Sequence, residues 1–170
     1  MITNNKKLSG QQIVFLILTI ALMITIFLLS AQDADTSSDT SSTLTRIFVK
    51  IFFRDYDSSS PERQAELWGK ASFIVRKLAH FSIYAALGFC ASFTAGKRKL
   101  FSLKSLCVVI FGFIYAFSDE FHQQFVKGRS CELRDMMIDT GGVVTGMAAS
   151  FIVMLIVVYI AGKRGSEAGH

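Results

Sequence analysis

Ionisable side chains recur at helical spacing in three short stretches of this chain. The first stretch holds Arg76, His80 and Tyr84, the second Asp119, His122 and Gln123, and the third Asp135 and Asp139. Separations of three or four residues put each set on one face of a helix. Histidine–carboxylate pairs transfer protons, and arginine forks bind phosphate or carboxylate groups. If the three helices meet, the pattern predicts acid–base chemistry on an anion.

The candidate site divides into two sets of side chains. The predicted acid–base residues are His80, Asp119, Glu120, His122 and Asp139. The predicted substrate-binding residues are Arg76, Lys77, Tyr84, Gln123, Arg129 and Asp135. A structural alternative is that arginine–aspartate pairs hold the helices in register. A buried ion pair adds little net stability, and this set is larger than helix register requires.

Some of these residues are also of the types that bind zinc, namely His80, Asp119, His122 and Asp139. Their spacing matches no known metal motif, because residues 119–122 read D-E-F-H rather than H-E-x-x-H and no cysteine joins them. Acid–base work by a histidine beside a carboxylate needs no metal. The sequence therefore predicts no metal site, and it identifies no cofactor.

The composition predicts that membrane helices position these residues. Hydrophobic residues form 51% of the chain and charged residues 18%, whereas soluble domains average about 25% charged residues. A soluble domain and a disordered chain are both excluded. The net charge of +5 does not indicate nucleic acid, because the basic residues flank apolar runs as they do in cytoplasmic loops. Three scattered cysteines predict neither a disulfide framework nor a zinc knuckle.

Four apolar stretches predict membrane spans at about residues 11–31, 72–94, 103–122 and 136–161. The first is interpreted as an uncleaved helix rather than a signal peptide, because its apolar run is long. The third is short, and it must carry Asp119, Glu120 and His122 at or near the membrane surface. We expect an all-α, four-helix membrane bundle that forms a single domain over residues 1–170.

The positions of the basic residues predict the orientation of this bundle. Lys6, Lys7, the 97–104 loop, Lys163 and Arg164 fall on one side when there are four spans, so both termini are predicted to be cytoplasmic. The loops at 33–72 and 119–139 hold more acidic than basic residues and are predicted to lie outside. All candidate site residues then lie at the outer end of the bundle.

The outer loop, residues 32–71, is expected to contain two different parts. Residues 33–43 are polar and are expected to be mobile. Helical spacing then relates the apolar residues Leu44, Ile47, Phe48, Ile51 and Phe52, with Arg46, Lys50 and Arg54 on the other side. This pattern predicts an amphipathic helix over 44–53 on the outer membrane surface, or packed against the bundle. Ser60-Pro61 predicts the start of a helix that continues past Trp68 into the second span.

Two signatures in these stretches resemble the VanZ-like family. The first is R-K-L-A-H-F-S-I-Y-A-A-L-G over 76–88. The second is Y-A-F-S-D-E-F-H-Q-Q-F-V over 115–126, followed by Gly128, Arg129, Asp135, Asp139 and Gly142. The resemblance covers most of the chain, although Lys127 stands where proline is frequent and the 33–72 insert matches poorly. It implies a multi-pass protein of the bacterial cytoplasmic membrane, in a family named for resistance to teicoplanin.

Three functions remain open on this sequence. The first is a membrane-embedded hydrolase or transferase that acts at the outer face on an anionic envelope component, either lipid-linked or glycan. The second is a non-catalytic binder that alters envelope access for a lipoglycopeptide antibiotic. A transporter is the weakest alternative, because the inner half of the bundle lacks the polar residues that a midplane substrate site requires.

Overall fold

The computed structural model describes residues 8–96 and 99–167, and every regular element within those ranges is an α-helix. The elements are α1 (Gly10–Ser30), α2 (Ala34–Phe52), α3 (Pro61–Thr94), α4 (Leu103–Gln123) and α5 (Leu133–Glu167). The predicted all-α class is confirmed for these residues. Four basic residues used to predict the orientation, Lys6, Lys7, Lys97 and Arg98, lie outside the described residues.

Three helices, rather than the four expected, are long and apolar enough to cross a membrane within the described ranges. They are α1, α3 and the Leu133–Arg164 part of α5. The predicted third span corresponds to α4. This helix is 21 residues long, but its composition does not qualify it as a membrane span. The physical reason is that the last turns of α4 contain Asp119, Glu120 and His122, which shorten its apolar stretch.

The helices α1 and α4 run antiparallel to α3. Near the start of α1, the side-chain amide of Gln12 donates to the Thr94 carbonyl at the end of α3, at 3.0 Å. At the start of α4, Lys104 Nζ donates to the Ala95 carbonyl just after α3, also at 3.0 Å. The first turns of α1 and α4 therefore lie beside the last turn of α3.

Helix α5 runs parallel to α3, and small residues bring the two backbones together. A Cβ atom at Gly142 would overlap the Phe81 carbonyl oxygen, and one at Gly146 would overlap the Ala85 carbonyl oxygen. One turn further along α3, a Cβ at Gly88 would overlap the backbone of α5 at Val143. These small residues form a packing face on α5 that holds it in a fixed register on α3.

The apolar core fills the centre of the bundle beside this contact. Its buried members come from four helices: Ile26 of α1, Tyr84, Leu87 and Ala91 of α3, Val108 and Ala116 of α4, and Val143 and Met147 of α5. The candidate site residues of α3, α4 and α5 lie at one end of this core, where α1 ends and α5 begins. The core therefore fixes the relative positions of the helices that carry the site.

Helix α2 differs from its prediction at its N-terminal end. It begins at Ala34, so the segment expected to be mobile is helical. Asp33 caps the helix by accepting a hydrogen bond from the Thr36 amide at 2.7 Å. Hydroxyl groups inside the helix donate to carbonyls four residues earlier, for example Thr45 Oγ1 to the Ser41 carbonyl at 3.0 Å. These local bonds satisfy polar side chains that were expected to favour a coil.

The predicted amphipathic part of α2 is helical, and its apolar face points away from the rest of the molecule. Thr45 and Val49 are buried against the bundle, whereas Leu44, Ile47, Ile51 and Phe52 are each more than half exposed. Such a face suits contact with lipid while the opposite side packs on α3. The expected N-cap of α3 is also confirmed, since Ser60 Oγ accepts from the Arg63 amide at 3.4 Å.

Candidate functional site

A polar cavity of about 250 Å³ opens where α3, α4, α5 and the α4–α5 loop meet. Its polar lining residues are Arg76, Lys77, His80, Glu120, Gln123, Arg129, Ser130, Glu132, Asp135 and Asp139. Eight of these ten residues are among the predicted site residues. The convergence arises because the polar stripe of each helix faces inward at the same end of the core, where charged groups avoid the cost of contact with lipid.

Three of the predicted acid–base residues form one cluster, each from a different helix. His80 belongs to α3, Asp119 to α4 and Asp139 to α5, and one nitrogen or oxygen from each lies within 4.8 Å of the other two. Both carboxylates are almost fully buried, with exposures of 4% for Asp119 and 1% for Asp139. His80 is partly open to the cavity, and its Nδ1 lies 3.7 Å from Asp139 Oδ1.

A chain of hydrogen bonds fixes the orientation of Asp119. Its Oδ2 accepts from the Tyr84 hydroxyl at 3.1 Å and from Gln123 Nε2 at 3.3 Å. Gln123 in turn accepts from Arg129 Nη1 through its side-chain oxygen, at 3.1 Å. Tyr84 is fully buried, so it positions Asp119 from below and does not reach the cavity. In this position Tyr84 holds Asp119, and its predicted substrate-binding role stays a prediction.

The register of α3 and α5 at this end depends on a lysine rather than an arginine. Lys77 Nζ forms an ion pair with Asp135 Oδ2, and both side chains are mostly buried. On the facing helix, Glu120 Oε2 accepts from the Glu132 backbone amide at 3.1 Å and so ties α4 to the start of α5. These contacts frame the cavity and leave Asp139 without a lysine or arginine partner in the described ranges.

Two arginines face the cavity without a carboxylate partner among the described residues. Arg76 and Arg129 both line it, and neither forms an ion pair there. Burial lowers the pKa of Arg129, and the positive charge of nearby Arg76 lowers this pKa further. The Nε atom of Arg129 is buried and has no hydrogen-bond partner. Two neighbouring guanidinium groups in this state are typical of an anion site.

The turn before Arg129 depends on a glycine. Gly128 has a φ of 75°, a left-handed conformation that residues with a Cβ rarely adopt. It reverses the chain after α4, so that the following residue returns over the cavity. This turn explains how a loop residue joins side chains from three helices.

His122 is the predicted catalytic residue that the structure does not bring to this cluster. Its ring packs against Phe27 of α1, with ring centroids 4.8 Å apart, and it is not among the residues that line the cavity. Conversely, Phe73, Ser130, Glu132 and Ile138 line the cavity and were not predicted. Phe73 lies seven residues before His80, so the helical stripe through Arg76 could have identified it.

An apolar groove adjoins the polar cavity between α1, α2 and α3. It encloses about 170 Å³, and its apolar walls come from Ile26, Leu29, Leu44, Ala79 and Ile83. Arg76, His80 and Arg129 line both the groove and the polar cavity. A molecule with an anionic group and an apolar chain would therefore contact the same three residues from both sides.

Comparison with known proteins identifies the family of this chain. The family model described as VanZ/LLP1 matches residues 15–157. The chain belongs to the VanZ/LLP1 family. The matched region contains every predicted site residue, and the resemblance found in the two signatures is confirmed. No curated protein and no solved structure matches the chain.

Membership in the VanZ/LLP1 family and helices suited to membrane spans together identify a membrane protein of the VanZ type. The site of this VanZ-type protein combines two unpaired guanidinium groups with a histidine and two buried carboxylates. Such a set can hold an anion and can move a proton beside it. Its opening toward an apolar groove is typical of a site for an amphipathic ligand.

Proposed function

We propose that this protein is a membrane-embedded hydrolase or transferase of the bacterial cytoplasmic membrane. It acts at the outer face on an anionic, lipid-linked component of the cell envelope. The observation that carries the proposal is that Arg76, His80 and Arg129 line both the polar cavity and the apolar groove. In this proposal the activity supports teicoplanin tolerance, the phenotype after which the VanZ-like family is named.

The proposed topology has four crossings, with α4 as the third, and both termini in the cytoplasm. At a rise of 1.5 Å per residue, the 21 residues of α4 extend over about 31 Å, roughly the thickness of the hydrocarbon layer. The antiparallel contact of α4 with α3 supports a full crossing. Lys99, Lys104, Lys163 and Arg164 all lie toward the end opposite the cavity, which supports a cytoplasmic position for that end.

The anionic part of the substrate is bound by Arg76 and Arg129. The cavity is lined by two guanidinium groups for which no ion pair is seen among the described residues, so a phosphate or carboxylate group would gain charge-assisted hydrogen bonds there. Lys77 is a weaker candidate, because its ammonium group is paired with Asp135. The apolar part of the substrate lies in the groove beside Ile26 and Leu29 of α1.

The proton-transfer groups are His80 and the buried carboxylates beside it. His80 is open to the cavity, and its Nδ1 lies 3.7 Å from Asp139 Oδ1. Asp119, held by Tyr84 and Gln123, lies next to both residues. In this proposal His80 gives or takes the proton, and Asp139 positions it.

Binding of a lipid phosphate to the full chain in nanodiscs tests this proposal. Dioleoyl phosphatidic acid and dioleoylglycerol differ only by the phosphate group, and binding of each is measured by native mass spectrometry. We expect phosphatidic acid to bind and dioleoylglycerol not to bind. Arg129→Lys keeps the charge but removes the bidentate fork, and we expect it to weaken binding about tenfold, the effect of losing roughly 1.4 kcal/mol.

Arg63→Lys is the matched control, because Arg63 is an exposed arginine of α3 that pairs with Glu66, and neither residue lines the cavity. It should bind phosphatidic acid as the unaltered protein does. Equal binding of both lipids, or an equal loss in Arg63→Lys and Arg129→Lys, would contradict the anion site. A protein that binds the phosphate lipid but keeps its cellular phenotype without Asp119 would instead be the non-catalytic binder.

A further inference from the structure

We propose that His80, Asp119 and Asp139 bind one divalent transition-metal ion, Zn²⁺ or Mn²⁺, at the base of the polar cavity. The residue types suit zinc, but their spacing matches no known metal motif, because the three residues come from three helices and are separated by 39 and 20 positions. The fold brings one ligand atom from each residue within 4.8 Å of the other two. One nitrogen and two carboxylate oxygens form a donor set that suits either ion.

The strongest evidence is the state of Asp139. It is 1% exposed, and both of its carboxylate oxygens are buried without a hydrogen-bond partner. An isolated buried carboxylate is costly unless it is paired or coordinates a metal. Its nearest ionisable partner is His80, whose Nδ1 is 3.7 Å from Oδ1, beyond hydrogen-bond distance. Asp139 therefore directs two unsatisfied oxygens toward the cluster.

The charge balance of the cluster also supports a bound cation. Asp119 and Asp139 place two carboxylates next to each other, whereas Lys77 is paired with Asp135 and Arg129 donates to Gln123. Within the described residues, no lysine or arginine forms an ion pair with Asp119 or Asp139. A divalent cation between the two carboxylates would compensate both charges at once.

The surroundings of Asp119 are those of a metal ligand. The Tyr84 hydroxyl and Gln123 Nε2 both donate to the same oxygen, Oδ2, which fixes the plane of the carboxylate. Ligating carboxylates are commonly held by such outer hydrogen bonds. Tetrahedral ligands at about 2.0–2.1 Å from an ion stand about 3.4 Å from one another. The 3.7 Å separation of His80 Nδ1 and Asp139 Oδ1 is close to that value.

Three protein ligands leave at least one coordination position open, and the cavity provides the space for it. This is the arrangement of catalytic rather than structural metal sites. An ion here would lie beside Arg76 and Arg129 and would supply Lewis-acid chemistry toward a phosphoryl oxygen. With the ion bound, His80 would serve as a ligand in place of the proton-transfer role it has in the proposed function. The inference does not depend on the proposed substrate, because ion binding is measured without any lipid ligand.

Metal titration of the purified full chain in nanodiscs tests the site. Chelator-treated protein is incubated with Zn²⁺ or Mn²⁺, and bound metal is measured by mass spectrometry and by the Mn²⁺ electron paramagnetic resonance signal. We expect one ion per chain. Asp139→Asn and His80→Gln should each weaken binding at least tenfold. Glu132→Gln is the matched control, because Glu132 lines the same cavity outside the cluster and its partly exposed side chain forms an ion pair only with exposed Arg134 among the described residues, and it should retain the ion.

Fold is checked by size-exclusion elution and far-ultraviolet circular dichroism, and the partly exposed His80 gives a second variant if Asp139→Asn does not fold. Failure of the unaltered chain to take up either ion would overturn the proposal. Retention of full affinity in both cluster variants, or an equal loss in Glu132→Gln, would also overturn the assignment to these three residues. Failure of ion uptake with intact phosphatidic acid binding would leave the proposed lipid site standing.

Discussion

The two halves of α3 use opposite means to hold the same partner helix. From Arg76 to Tyr84, α3 meets α5 mainly through charged and polar groups, among them the Lys77–Asp135 ion pair and the His80–Asp139 contact, with one glycine contact, that of Gly142 with Phe81, near its end. From Ala85 onward, it meets α5 through backbone contact at Gly88 and Gly146. The first half is open to a cavity, and the second contacts α5 without polar side chains.

This difference separates folding from function along one helix pair. The glycine contacts fix the distance and register of the helices through van der Waals packing, which in a membrane replaces the hydrophobic effect as the source of helix association. Asp139 is buried without satisfying hydrogen bonds, a state that a purely structural residue would not need. We therefore expect changes in the polar half to reduce activity and changes in the glycine half to reduce folding.

The largest expected effect is the loss of activity in Asp119→Asn. The substitution keeps the shape of the side chain and its acceptor for Tyr84 but removes the negative charge from the cluster. Removal of one acid–base or charge-stabilising group costs about 10²–10⁴-fold in rate. We expect teicoplanin tolerance in producing cells to be lost while the amount of protein in the membrane stays within twofold of normal, measured by immunoblot.

His122→Gln is the control for this prediction, because His122 follows Asp119 by three residues but packs against Phe27 instead of lining the cavity. It should keep most of the phenotype. If His122→Gln removes the phenotype and Asp119→Asn retains it, His122 is the acid–base residue and the cluster is not the reactive centre. Scarcity of Asp119→Asn in the membrane would instead assign Asp119 to the fold.

The second largest effect is a loss of stability when a glycine at the contact between α3 and α5 is replaced. In Gly146→Ala the new methyl group would overlap the Ala85 backbone carbonyl, which cannot rotate away as a side chain can. Overpacking a close contact costs about 1–3 kcal/mol, and more where backbone must move. We expect a lower midpoint of thermal unfolding in detergent and less protein in the membrane.

Gly162→Ala is the matched control on the same helix, since a Cβ there meets nothing within 4 Å. Alanine is favoured over glycine inside a helix by about 0.5–1 kcal/mol, so this variant should be as stable as the unaltered chain or slightly more stable. Equal stability of the Gly146 and Gly162 variants would mean that the α3–α5 contact is looser than the structure indicates.

Much of this contrast could be predicted from sequence, because both halves follow helical periodicity. The stripe Arg76–His80–Tyr84 and the spacing of Gly142 and Gly146 each assign residues to one face without any tertiary information. The position of the site at one end of the bundle was predicted by the same reasoning, since charged residues within apolar helices gather where they can pair.

The parts that could not be predicted depend on rotation and on local hydrogen bonds. His122 and Asp119 occupy neighbouring positions on one turn, and only the rotation of α4 decides that Asp119 faces the cluster while His122 faces α1. The start of α2 was missed because serine and threonine disfavour helices on average, yet here Asp33 caps the helix and hydroxyls bond to their own backbone. The metal-type cluster required three helices to be placed together.

The smallest expected effect compares two tyrosines that each donate one buried hydrogen bond. The Tyr84 hydroxyl donates to Asp119 Oδ2 at 3.1 Å, and the Tyr115 hydroxyl donates to the Met23 carbonyl at 2.6 Å. Replacing either by Phe keeps the ring and removes one hydrogen bond, which costs about 0.5–1.5 kcal/mol of stability. The two variants should therefore unfold at similarly lowered temperatures.

Activity should distinguish these two tyrosine variants, because only Tyr84 holds a member of the cluster. In Tyr84→Phe the Asp119 carboxylate keeps the Gln123 bond but can rotate about it, so the teicoplanin phenotype should weaken, though less than in Asp119→Asn. In Tyr115→Phe the lost bond joins α4 to α1 away from the cavity, so the phenotype should follow stability alone. If both variants lose equal activity at equal stability, Tyr84 is a packing residue, and the polar half of α3 contributes to folding as the glycine half does.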